Sequence, residues 1–366
     1  MKRIILITLT CISIQHVLAQ PFRKEEIKDI AQKVADWQIQ NYTGKYGDLN
    51  WVNATFYLGL SRWDATAEKD CQDSRYFEWL QQLGERNEWQ VGKRMYHADD
   101  ICISQTYLEL YKETENKEML GPTLERMEWV MKNPPQGTFE LDYKTMSNLE
   151  HWTWCDALFM APPAYFKMAA ITGDRRLTKF AHKEFMATYD FLFDKDENLF
   201  YRDFRYLDKK EANGKKIFWG RGNGWVLGGL AEILEALPQT DRHYSFYQEL
   251  FCNMARRISE LQSEDGFWRA SLLDPEAYPT PETSSTGFFV YGLAYGINKG
   301  ILSEEEFMPI VIKGWNALIS AVEESGKLGY VQPIGADPRK VTSEMTEVYG
   351  PGAFLLAGSE IYRMAE

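Results

Sequence analysis

The 366-residue chain is short of several things, and each shortage excludes a class of function. No stretch approaches the ~18 uninterrupted apolar residues of a membrane-spanning helix, so no membrane insertion is expected. Basic residues are outnumbered, 41 Lys and Arg against 53 Asp and Glu, for a net charge of −12. A nucleic-acid binder would show a basic face, and a polyanionic substrate would have to be held by a few local cations. The five histidines (His16, His97, His151, His182, His243) are scattered without metal-ligand spacing. Nor is there a Gly-x-Ser-x-Gly elbow, a phosphate loop or a dinucleotide-binding glycine pattern. Pro/Ser-rich tracts and charge runs are missing too, so nothing reads as a linker.

Cysteine is also scarce, at five. Cys11 sits in an N-terminal segment with the features of a secretory leader. Met1-Lys2-Arg3 gives a basic start, Ile4 to Ile14 an apolar run, and Val17-Leu18-Ala19 a small-residue cleavage site. Residues 1–19 are therefore expected to be removed, leaving 20–366 as a single domain exported to a periplasm or secreted. Cys71, Cys102, Cys155 and Cys252 are widely spaced and form no metal-type pair. Buried free thiols are the expectation, although an exporting compartment would allow disulfides.

Helical periodicity is abundant. Apolar residues recur at i, i+3, i+4 and i+7 over about twelve segments: 24–41, 51–62, 74–85, 98–114, 118–132, 156–172, 174–192, 223–236, 241–262, 283–299, 303–324 and 346–363. Two inserts, around 133–150 and 193–220, are left for loops or a small hairpin. The even-numbered segments begin with chemistry-capable residues, whereas the odd-numbered ones carry charged faces. Short links suit antiparallel neighbours, so the pattern predicts an all-α double ring with six inner helices whose N-termini share one mouth. A helical solenoid would give the same alternation.

Four constellations carry the chemistry. His97-Ala98-Asp99-Asp100 opens one segment, with one aspartate expected to face a pocket and the other to cap or brace. Trp154-Cys155-Asp156 opens another, just before Pro162-Pro163, which belong near a helix start. A carboxyl among Trp152, Trp154, Leu158, Phe159 and Met160 is disfavoured in its charged form, as a general acid requires. In Trp219-Gly220-Arg221-Gly222-Asn223-Gly224-Trp225, glycines admit close backbone approach, Arg221 has the fork for a carboxylate, and the two tryptophans offer stacking faces. Glu282-Thr283-Ser284 supplies hydroxyls for a sugar or for capping. Aromatics make up 14% of the chain, with 12 Trp, which suits both core filling and sugar stacking.

Taken in order, these blocks resemble those of the unsaturated glucuronyl and unsaturated rhamnogalacturonyl hydrolases, glycoside hydrolase families 88 and 105, the second more closely. The resemblance runs from Asp99-Asp100-Ile101 through Trp154 to Ala161 and Arg221 to Trp225, ending at Tyr349-Gly350-Pro351-Gly352-Ala353. It implies an (α/α)6 barrel and hydration of the C4=C5 double bond of a non-reducing-end uronate, galacturonyl or glucuronyl, without metal or organic cofactor. Asp156 would match the general acid/base and Asp100 the aspartate that orients substrate and water. Asp99, His97, Trp154, Trp219, Arg221, Asn223, Trp225 and Ser284 would contact the oligosaccharide. The family often has a His after a Leu-Phe-Tyr-like stretch. Here Leu199-Phe200-Tyr201 is followed by Arg202, which could grip the uronate carboxylate. A monomer or weak homo-oligomer is expected. A conventional inverting glycosidase or polysaccharide lyase on the same barrel, and a non-catalytic glycan-binding protein, are the alternatives.

Overall fold

Helices alternate in how much of their surface they hide. From Thr283 to Gly296 every residue of one helix is buried, whereas Arg75–Arg86 buries only Tyr76, Leu80, Leu83 and Gly84. A helix apolar on all sides belongs inside, and an amphipathic one belongs outside. The computed structural model, which describes residues 22–67, 75–140 and 150–365, sorts them in that way. The expected leader and Cys71 lie outside the described residues.

Six helices form the inner ring: α2 (Trp51–Ala67), α5 (Ser104–Thr114), α8 (Pro162–Thr172), α10 (Gly220–Ala236), α12 (Thr283–Asn298) and α14 (Tyr349–Met364). Each packs on the next, and α14 returns to α2, so the ring closes and the solenoid alternative falls. The outer helices are α1 (Lys24–Gln40), α3 (Arg75–Arg86), α6 (Gly121–Lys132), α9 (Arg175–Leu192), α11 (Tyr244–Glu260) and α13 (Glu304–Ser320). Two expected segments are broken. A short α4 (Ala98–Ile101) precedes α5, and α7 (Ala157–Met160) precedes α8, where Pro162 and Pro163 cannot donate to a continuing ladder. The 193–220 insert holds an antiparallel hairpin of β1 (Phe193–Asp194) and β2 (Leu199–Phe200). Cys102, Cys155 and Cys252 are free thiols.

The ring closes tightly because small residues meet where α2 and α14 cross. A Cβ on Gly59 would lie 2.3 Å from the Gly352 carbonyl oxygen, so no side chain fits there. Roughly three turns below the mouth, inner helices also contribute a buried charge network. Lys167 Nζ lies 2.6 Å from Glu232 and 2.9 Å from Glu109, and Arg62 Nη2 lies 2.6 Å and 3.2 Å from the same two carboxylates. Tyr291 donates to Glu232 at 2.5 Å. Burial pushes both carboxyls up, yet Arg62 and Lys167 outweigh it and hold Glu109 and Glu232 below the usual carboxylate range. Lys167→Met would leave both glutamates short of a cation and cost about 3–5 kcal/mol. Equilibrium urea unfolding should show a lower midpoint, and an unchanged one would mean the network adds no net stability.

Candidate active site

A cavity of about 390 Å³ opens at the N-terminal mouth of the ring. Trp51, at the start of α2, Asp99 of α4, and Trp154, Asp156 and Met160 around α7 form one wall. Arg202 and Arg205, just past β2, and the loop residues Ile334, Gly335, Ala336 and Arg339 form the other.

The two aspartates of α4 point in different directions. Asp99 lines the cavity together with Asp156. Asp100 turns away: its Oδ2 accepts from the Arg94 backbone N–H at 2.7 Å, and its Oδ1 meets the Arg94 guanidinium at 2.5 Å. Of the two, Asp99 rather than Asp100 lines the cavity with Asp156. Successive helical residues lie about 100° apart, so only one of the two can face the mouth. His97 caps α4, its Nδ1 accepting from the Asp99 N–H at 3.3 Å, and its ring packs 5.0 Å from Trp154. Burial and the nearby Arg94 charge push His97 down to about 4, so near neutral pH it is an uncharged brace.

Asp156 lies 3.4 Å from Arg202 Nε and accepts from the Cys155 thiol at 3.5 Å. Burial pushes that thiol well above its ordinary range, so it stays protonated and able to donate. Arg202 and Arg205 are both anchored by Asp203, which is fully buried and accepts from each at 2.7 Å. Burial pushes the Asp203 carboxyl up, but the Arg205 hydrogen bonds and the Arg202 charge hold it below the usual range. Asp99 behaves in the opposite way. Only 18% of its side chain is exposed, and burial pushes its carboxyl up to about 7, aided by Asp156 and Asp100 and opposed by Arg94 and Arg202.

The tryptophan-arginine-glycine constellation does not face the cavity. Arg221 is buried and donates to the Gln332 and Pro333 carbonyls at 2.5 and 2.9 Å, between the rings of Trp219 and Tyr349. Asn223 accepts from the Phe200 N–H at 2.8 Å and donates to its carbonyl at 3.0 Å. Trp219 donates to Gln332 Oε1 at 3.2 Å, and Trp225 is core. Ser284 donates to Glu282 at 2.6 Å. The glycines serve packing: a Cβ on Gly220 would lie 2.5 Å from the Arg269 carbonyl oxygen. These residues hold the site from behind. Asn223 fixes the strand that leads to Arg202, while Arg221, Trp219 and Glu282 fix the loop that carries Arg339. Gln332 is the node of that loop: its N–H donates to Glu282 at 3.1 Å, and its amide donates to the Asp337 carbonyl at 2.9 Å.

Sequence reading missed Gln332, Arg205, Arg339 and Ile334 as site residues. They lie in aperiodic stretches, where nothing marks which side chain turns inward. Trp51 did carry a signal, as the first residue of an even-numbered segment. It stacks on Tyr349 at 5.5 Å and 14°.

A double ring of helices with two carboxyls, an arginine and tryptophans at one mouth defines a barrel glycoside hydrolase. A protein-family model described as Glycosyl Hydrolase Family 88 matches residues 30–365, and the chain belongs to that family. It is 39% identical over 349 residues to an unsaturated 3S-rhamnoglycuronyl hydrolase of Formosa agariphila, covering 93% of this chain and 92% of the relative. A solved glycosyl hydrolase family 88 structure from Bacteroides vulgatus superposes with a TM-score of 0.83 at 32% identity, covering 94% of this chain and 100% of that one. A solved structure described as a polysaccharide lyase gives 0.82 at 33% identity, covering 93% and 97%.

Two predictions follow from this geometry. Asp99 releases its proton near pH 4 when unfolded and near 7 when folded, so its contribution to stability declines as pH rises between those values and is flat above. Asp99→Asn should remove that decline. Relative to the parent, the variant should gain roughly 2 kcal/mol between about pH 5 and pH 8 in urea unfolding; parallel profiles would refute the shift. Arg221→Lys loses the fork across two carbonyls and should weaken closure of the 332–339 loop by about 1.5–3 kcal/mol. Faster amide hydrogen exchange in that loop, with a raised KM, is the expected readout; unchanged exchange would mean the loop holds itself.

Proposed function

We propose that the chain removes a 4,5-unsaturated uronic acid from the non-reducing end of lyase-generated oligosaccharides by hydrating its C4=C5 bond. The observation that carries this reading is the pairing of Asp99 with Asp156 in one cavity, beside Arg202. The guanidinium of Arg202 suits the uronate carboxylate, and Trp51 and Trp154 suit the faces of sugar rings. Asp156 would protonate C4, leaving C5 electron-deficient, and then take a proton from the water that attacks C5. The resulting hemiketal opens, and the aglycone leaves as the ring collapses. Asp99, raised to about 7, is well placed to hold a proton in the same cavity and to orient that water.

The neighbouring sugar is addressed by the rim. Arg205 and Arg339 present half-buried and exposed guanidiniums, and Ile334 presents an apolar side chain, 43% exposed. That combination suits a neighbouring sugar bearing both an anionic substituent and an apolar methyl edge. The rhamnoglycuronyl name of the Formosa relative supports a rhamnose-linked uronate. Export through the 1–19 leader belongs to the same reading and would place the enzyme beside fragments of extracellular polymer.

The test follows the ultraviolet absorbance of the conjugated double bond during incubation with unsaturated oligosaccharides. Absorbance should fall. Asp156→Asn and Asp99→Asn should each slow the loss by about 10²–10⁴-fold, while Asp100→Asn keeps kcat within about an order of magnitude. The rate should also decline as pH rises through about 7, where Asp99 loses its proton. A rise in absorbance on intact polymer would instead support β-elimination, the reading suggested by the structural relative described as a lyase. No change with any fragment would sink the hydration reading.

A further inference from the structure

On the outside of the barrel, away from every residue that lines the catalytic cavity, two further cavities of about 630 and 600 Å³ adjoin. They share Lys179, Arg242 and His243 in their walls and so form one trough across the end of α6, the face of α9 and the start of α11. Its cations are Lys132, Arg175, Arg176, Lys179, Lys183 and Arg242, against Glu128 and Asp241 among the lining carboxylates. On a chain of net charge −12, that local excess runs against the composition.

Three of these six cations have no carboxylate partner among the described residues. Lys132 reaches Glu128 at 3.4 Å and Arg176 reaches Asp174 at 2.6 Å, but among the described residues no carboxylate lies within ion-pair distance of Arg175, Lys179 or Arg242. Lys183 stands 3.8 Å from Glu184, whose carboxylate is already engaged by His151 at 2.7 Å. Arg176, Lys179 and Lys183 fall at i, i+3 and i+7, so they share one face of α9 over about 10 Å.

Apolar and aromatic side chains are among the lining of the trough. Met131, Pro134 and Phe180 line it, and the rings of His182 and His243 lie 3.6 Å apart between centroids. Burial pushes both imidazoles down, His182 to about 4, so near neutral pH they add ring surface rather than charge. Cations spaced above apolar and aromatic surface match a chain of sugar rings that carries an acid group at intervals: the ring faces rest on that surface, and the acids meet the guanidiniums and ammoniums.

We propose that this trough is a second carbohydrate site, which binds an acidic polysaccharide chain internally while the catalytic cavity takes only chain ends. It would hold the enzyme on the polymer where new unsaturated ends are released. The site is independent of the catalytic residues, and its test does not depend on turnover.

The experiment compares the parent protein with the triple variant Lys179→Glu, Lys183→Glu, Arg242→Glu in affinity electrophoresis through polygalacturonate, with dextran as the neutral control. All three side chains are exposed, so the unfolding midpoint should be unchanged. The parent should be retarded by polygalacturonate and not by dextran, and less so as salt is added. The triple variant should lose at least tenfold in apparent affinity, whereas Asp156→Asn should lose none. Equal retardation of parent and triple variant would overturn the proposal, as would no retardation of the parent. Binding of duplex DNA as tightly as polygalacturonate, at equal anion concentration, would also overturn it by showing a charge surface without sugar selectivity.

Discussion

Near-complete burial of α10, α12 and α14 is the constraint from which the rest follows. A helix covered on every side has no face left for solvent, so its polar side chains must find partners within the ring or gather at its ends. Both solutions are present. Deep in the ring, Arg62, Glu109, Lys167 and Glu232 form ion pairs across four helices. At the mouth, where the helix starts leave N–H groups unpaired, the chain places Asp99, Asp156 and their supporting residues. The same packing that makes the barrel therefore collects chemistry at one end of it.

The mouth is built in two tiers. Only a few side chains reach the cavity, and each is held by a buried partner: Asp99 by His97, Arg202 and Arg205 by Asp203, and the Arg339 loop by Arg221, Gln332 and Glu282. Holding charged groups in fixed positions costs entropy in advance, so less is lost when substrate binds. The division also explains why a motif as conspicuous as Arg221 to Trp225 does not line the cavity. Its residues are demanding because their environment is crowded: an arginine between two rings, an asparagine spanning a strand, and glycines where backbones touch.

Two carboxyls in one cavity sit in different surroundings. Asp156 has a guanidinium at 3.4 Å, while burial dominates the environment of Asp99 and raises it to about 7. The chain as a whole is acidic, and the trough on α9 gathers six cations against that balance.

Much of the fold was legible in the sequence because helical period and burial leave a direct trace in it. The contrast between even-numbered segments that open on chemistry-capable residues and odd-numbered ones with charged faces sorts inner from outer helices before any coordinates are seen. The prolines at 162 and 163 mark a helix start for reasons of covalent geometry. Trp154 and Asp156, which line the cavity, were readable as candidates because they open a helical segment beside that landmark, and Arg202 through the family resemblance. The sequence could not say which of Asp99 and Asp100 faces inward, because that depends on how α4 is rotated, and the packing of His97 on Trp154 and of Asp100 on Arg94 sets the rotation. Nor could it place Arg339 and Gln332, which reach the mouth only because a loop far along the chain is tied to α10 and α12. Local periodicity determined the elements; tertiary contacts, from Asp100 on Arg94 to Arg221 on Gln332 111 positions away, decided which residues reach the mouth.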